Sequence, residues 1–152
     1  MPIKYVHTNI IAGDWKRLAD FYIEVFGCEP VPPARDLRGG WLDDGTGVSH
    51  AHLRGMHLRL PGHGKTGPTL EIYAYDNMLE KESPAANRKG FGHIAFAVDD
   101  VEDITQRVIN AGGGALGKVV QHAVKGVGLL TFTYLTDPEG NIVEVQHWSD
   151  EA

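Results

Sequence analysis

Gly92-His93-Ile94-Ala95-Phe96-Ala97 falls, without a gap, on Val6-His7-Thr8-Asn9-Ile10-Ile11 when the chain is shifted by 86 positions. The match runs onward: Asp14 lands on Asp100, Leu18 on Ile104, Tyr22 on Val108 and Gly27 on Gly113. A fixed-offset repeat of this kind decides architecture before any single motif does. Each copy reads as a strand, an aspartate N-cap, an amphipathic helix and a glycine stop. Leu18, Phe21, Tyr22, Val25 and Phe26 form the first apolar stripe, and Val101, Ile104, Val108 and Ala111 the second.

The ends of the copies also correspond. Thr69-Leu70-Glu71-Ile72-Tyr73 resembles Ile142-Val143-Glu144-Val145-Gln146, each placing a glutamate inside a β-rich run. The offset here is 73, so the first copy carries roughly 13 additional residues. The Gly-, Pro- and charge-rich stretch 32–55 reads as the loop that holds them. Arg54–Leu60 and Leu129–Thr136 read as third strands, and Cys28–Val31 and Ala115–Val119 as short second strands. The polar stretch 76–90, with Pro84, reads as the linker. The expectation is an α+β fold of two tandem βαβββ modules, about 3–76 and 90–148, forming one domain with a cupped mixed β-sheet. Only two helical stripes are visible, which disfavours strands alternating with helices throughout.

Period-2 alternation separates the two faces of each strand. Ile94, Phe96 and Val98 suit a packed face, leaving His93, Ala95 and Ala97 opposite. In the same way His7 and Asn9, Glu71 and Tyr73, and Glu144 and Gln146 lie away from the apolar side chains. Each copy therefore offers a histidine on its first strand and a carboxylate on its last. A lone histidine or glutamate on a strand is ordinarily a hydrogen-bonded or solvated side chain. Two of each at repeat-equivalent positions point instead to a metal site formed by His7, Glu71, His93 and Glu144. Imidazole and carboxylate donors without thiolate suit one divalent ion (Ni, Zn, Co, Mn or Fe) with positions left open.

At these residues the sequence resembles the vicinal oxygen chelate superfamily, which includes glyoxalase I, methylmalonyl-CoA epimerase, extradiol dioxygenases and the fosfomycin- and bleomycin-resistance proteins. The resemblance is most specific in 92–100 and in Leu135-Thr136-Asp137-Pro138-Glu139-Gly140-Asn141-Ile142-Val143-Glu144, an Asp-Pro-acidic-Gly turn into the last strand. In that turn Pro138 presets φ and Gly140 is free to take a positive φ. The four-ligand set resembles bacterial glyoxalase I. Dioxygenases and fosfomycin-resistance enzymes use no ligand at the position of Glu71, methylmalonyl-CoA epimerase usually has Gln there, and bleomycin-resistance proteins lack the ligands. The resemblance implies a metal-dependent glyoxalase-type lyase or epimerase acting by proton abstraction beside a metal-bound carbonyl. It implies Glu144 as base, Glu71 as the second candidate, and His7 and His93 as fixed ligands. A non-haem iron dioxygenase and a bleomycin-resistance-like protein that sequesters its ligand are the alternatives. For the latter, Trp41, Tyr73, Tyr75, Phe91 and Trp148 would line an aromatic cup.

Composition narrows the partners. The 152-residue chain has a net charge of −6, which provides no basic field for nucleic acid or an anionic membrane. One cysteine, Cys28, excludes an intramolecular disulfide and reads as a small buried apolar group. No apolar run approaches the roughly 18 residues of a membrane span, and the N-terminus lacks a signal-peptide pattern. The expectation is a cytoplasmic homodimer acting on a small molecule. The segment 32–66 matches no glutathione-binding pattern. His50 and His52 read there as solvated loop residues, and Arg54, Arg59 and Lys125 as solvated charges.

Overall fold

The computed structural model of the chain describes residues 2–150. Its backbone divides into two compact units, Met1–Lys81 and Glu82–Ala152, each with its own mixed sheet. With three helices among the described residues, the fold is α+β.

The first unit runs β1 (His7–Ile11), α1 (Trp15–Phe26), β2 (Glu29–Arg38), α2 (Gly40–Thr46), β3 (His52–Arg59) and β4 (Thr69–Tyr75), with sheet order β1-β4-β3-β2. The Asp14 carboxylate accepts from the Arg17 amide at 3.1 Å, and Gly27 closes α1 at φ 70°. Leu18, Phe21, Tyr22 and Val25 are buried against the sheet, whose Leu70 and Ile72 are fully covered. Burying each such aliphatic side chain contributes about 1.5–3 kcal/mol. That packing fixes the opposite face of β4 as the one carrying Glu71.

The second unit runs β5 (Ile94–Ala97), α3 (Val101–Asn110), β6 (Gly114–Ala115), β7 (Val120–Val124), β8 (Gly128–Thr136) and β9 (Ile142–Ser149). β5, β9, β8 and β6 follow in order, and β7 pairs with β8. Asp100 caps α3 by accepting from the Asp103 amide at 3.0 Å. Asp137 is buried and its Oδ1 accepts from the Glu139 and Asn141 amides at 2.9 and 3.0 Å, while Gly140 takes φ 83°. This turn starts β9 in the register that places Glu144 opposite Tyr134.

The structure corrects the sequence reading in the middle of each unit. Most of the stretch 32–55 is not loop: β2 continues through Pro32 and Pro33 as an edge strand, with a register shift between Val31 and Arg35. An edge and a bulge are where a strand tolerates proline, because one side needs no amide donors. The third helix, α2, buries only Leu42 and so shows no apolar stripe. In the second unit the short strand is split into β6 and β7, and all but the last residue of β7 are exposed.

Candidate functional site

In both units the first strand pairs in parallel with the last. Asn9 stands beside Glu71 in one and Ala95 beside Glu144 in the other, so the repeat extends to register. The histidine two residues earlier lies on the same face as the glutamate. His7 begins β1, and its Nε2 is 3.6 Å from Glu71 Oε1. His93 directly precedes β5, and its Nε2 is 3.8 Å from Glu144 Oε1. The two glutamate side chains are equally sheltered, each 13% exposed, while both histidines remain accessible. Both gaps exceed a hydrogen bond. Two ligands bonded to one ion at about 2.1 Å with tetrahedral angles stand about 3.4 Å apart, so each pair fits a shared ion after a movement of a few tenths of an ångström.

A third imidazole joins the first pair. His57 on β3 is opposite Glu71, with Nε2 2.9 Å from Glu71 Oε2 and Nδ1 3.0 Å from the Thr69 hydroxyl. One donor atom from each of His7, His57 and Glu71 lies within 4.8 Å of the others. Burial holds the His57 imidazole below its ordinary pKa despite the Glu71 charge beside it. A neutral ring is the form that binds a metal. Repeat equivalence does not point to His57, because its counterpart in the second unit is Tyr134. The signal was present in the turn: a hairpin centred on Gly64 places His57 and Glu71 equally far on either side.

The first glutamate is gripped through both oxygens, with Asn9 Nδ2 donating to Oε1 at 2.8 Å and His57 against Oε2. Tyr73 follows from β4, its hydroxyl 3.1 Å from His57 Nε2. Burial, aided by the Glu71 charge, pushes its phenol up to about 12 and keeps it a protonated donor. The ring crosses β3 where Gly55 lacks a side chain, since a Cβ there would sit 2.4 Å from Tyr73 Cδ1. The second glutamate is held differently. Trp148 Nε1 donates to Gln146 Oε1 at 2.8 Å, and Gln146 Nε2 donates in turn to Glu144 Oε2. The Tyr134 ring lies 4.6 Å from that of His93.

Other candidate residues find structural partners. His52 starts β3 rather than lying in a loop, with its two nitrogens 2.6 Å from Asp36 and 3.1 Å from Asp76. Arg54 binds Asp76 at 2.6 Å, and Arg59 donates to the Gly67 carbonyl. Tyr73 belongs to a buried cluster with Leu42, Ala51 and Leu53, against which Tyr75 packs, whereas Trp41, Phe91 and Trp148 are exposed. Burial pushes the Cys28 thiol up to about 12, as befits an unreactive apolar group.

The profile of the Glyoxalase/Bleomycin resistance protein/Dioxygenase superfamily matches residues 4–145. No curated protein matches the sequence. Among solved structures, a glyoxalase family protein from Bacillus cereus is similar at 16% identity, covering 97% of this chain and 95% of that one, with a TM-score of 0.82. A glyoxalase I variant from Zea mays is similar at 24% identity and a TM-score of 0.66, covering 97% of this chain and 45% of that one. A glyoxalase/bleomycin resistance protein/dioxygenase from Alicyclobacillus acidocaldarius has 17% identity, 97% and 92% coverage and a TM-score of 0.55. At these identities the likeness shows a shared fold.

Proposed function

Because the chain belongs to the Glyoxalase/Bleomycin resistance protein/Dioxygenase superfamily, we propose that it is a metal-dependent lyase or isomerase of the glyoxalase type. Its substrate is a small molecule with a removable proton beside a carbonyl. His7, Glu71, His93 and Glu144 would hold one divalent ion (Ni, Zn, Co, Mn or Fe). The carrying observation is the repeated His–Glu spacing, 3.6 Å and 3.8 Å, too wide for a hydrogen bond and close to a ligand-to-ligand edge. When bound, the ion would supply Lewis-acid polarisation of the carbonyl.

The chain's own residues divide the remaining work. Glu71, anchored by Asn9 and His57, is suited to hold a fixed position. Glu144 is held through Oε2 by Gln146, without a second clamp like that on Glu71, which leaves its carboxylate freer to take and return a proton. The Zea mays structure named for glyoxalase I supports this chemistry by analogy only, since this chain spans under half of it.

Metal analysis of the untagged protein beside His93→Ala tests the reading. It expects about one ion per chain, bound measurably more weakly in the variant. Loaded protein should then exchange the proton beside the carbonyl of a hemithioacetal or acyl-CoA substrate with solvent deuterium. No metal after reconstitution would end the reading. The second reading is a non-haem iron dioxygenase, whose ligand set is two histidines and a carboxylate. Ferrous-dependent oxygen uptake would select it. We further propose a cytoplasmic homodimer, to be checked by light scattering; among the described residues no helix is long and apolar enough to cross a membrane.

A further inference from the structure

We infer that the first unit carries a self-sufficient metal site in which His57 is a third protein ligand, so that His7, His57 and Glu71 bind a divalent cation without His93 or Glu144. The inference rests on the proposed role of His7 and Glu71 as ligands and adds to it a donor that the second unit lacks.

Three observations converge on His57. First, register: β3 places it directly across from Glu71, on the face that also carries His7. Its Nε2 lies 2.9 Å from Glu71 Oε2, the three donor atoms span no more than 4.8 Å, and the two imidazole rings meet edge to face at 5.7 Å. Two imidazole nitrogens and one carboxylate oxygen converging at this spacing suit a borderline cation such as Co²⁺, Zn²⁺, Ni²⁺ or Fe²⁺. Three ligands would leave the rest of the ion's sphere open.

Second, the far side of the ring is supported as a ligating histidine requires. A metal-bound imidazole commonly donates its other N–H to an oxygen that fixes ring and tautomer. Thr69 Oγ1 stands 3.0 Å from His57 Nδ1, and Thr69 is buried. A hydroxyl both donates and accepts. Without a cation, His57 Nε2–H points to Glu71 and the Thr69 hydroxyl donates to Nδ1. With Nε2 on the cation, Nδ1–H donates to the same hydroxyl. In either state the Thr69 hydroxyl keeps Nδ1 partnered.

Third, the equivalent position in the second unit cannot act this way. Tyr134 is opposite Glu144 as His57 is opposite Glu71, and its ring lies beside His93 as that of His57 lies beside His7. A neutral phenol is a poor substitute for imidazole on these cations. The two units share a framework and differ in donor count, three against two.

Cobalt titration of the full chain, followed by visible absorption, tests this. The double variant His93→Ala/Glu144→Gln should still bind one Co²⁺ per chain with a d–d band. Adding His57→Gln to it should abolish the band. Thr69→Val in the same background should weaken binding about 10–100-fold, the usual effect of losing an outer-sphere partner. As a measurement independent of variant folding, histidine side-chain ¹H–¹⁵N spectra of the unaltered protein should show Zn²⁺ shifting His57 Nε2, with the proton on Nδ1. If the double variant binds no cobalt while the unaltered chain does, the self-sufficient site is wrong and the four-ligand reading survives. Retention after His57→Gln, or an unshifted His57 Nε2, also overturns the assignment. If the unaltered chain binds none, both readings fall.

Discussion

The two units are built alike and finished differently. Each sets a histidine at or just before its first strand, a glutamate on its last, and an aromatic or imidazole ring across from the glutamate. In the first unit the glutamate is clamped from both oxygens by Asn9 and His57. In the second it hangs on one amide, Gln146, which Trp148 orients in turn. The two frames agree in register and differ in the side chains that hold the glutamate. A carboxylate held through both oxygens is suited to fix a ligand, whereas one held through a single oxygen retains the freedom a proton carrier needs.

The sharpest way to break this division is to compare Glu144→Gln with Glu71→Gln. The former should lower turnover by about 10²–10⁴-fold, the usual weight of a general base, with metal still bound. The latter should act mainly through metal affinity, so that added metal restores much of the rate. Equal turnover losses that metal does not repair would erase the distinction.

Packing provides the next contrast. Leu70→Ala on β4 should cost about 2–5 kcal/mol by denaturant unfolding. Val143→Ala on β9 should cost about 1.5–3 kcal/mol, because fewer buried carbons are removed. A larger loss at Val143 would place the tighter core in the second unit.

The caps should differ by less. Asp14→Ala should cost about 1 kcal/mol. Asp100→Ala should cost a few tenths less, because α3 retains Glu102 and Asp103 in its first turn and α1 has no acidic residue there. Thermal unfolding of the two variants checks the order.

The smallest effect concerns acid. A hydrogen bond from His52 holds the Asp36 carboxyl below its ordinary range, and one from Arg54 does so for Asp76. Folded pKa values below the unfolded ones mean stability that is present above the ordinary carboxylate range and lost as pH falls through the folded values. Both side chains are exposed, so the contribution is modest. Arg54→Ala should be slightly less stable than the parent near neutrality, with the gap closing as pH falls below the ordinary carboxylate range. A gap independent of pH would assign the loss to packing of the Arg54 stem.

The repeat made the fold class legible, since alternation and capping are local. Asp14, Gly27 and Gly140 could each be assigned because one residue carries the whole signal. The stretch around β2 and α2 was illegible for the opposite reason. Prolines in an edge strand and a helix with one buried residue leave no periodic trace.

Residue order alone yields two equivalent strand–helix–strand frames and puts His7, Glu71, His93 and Glu144 away from the packed faces. Those follow from residue order and the two-residue period of a strand. It takes the folded chain to bring His57 to Glu71, to carry Tyr73 over Gly55 to join them, and to let Trp148 steady Glu144 through Gln146. Each of these depends on register between strands or on rotamers set by packing. A hairpin slipped by one residue would leave the composition unchanged and turn His57 to the other face.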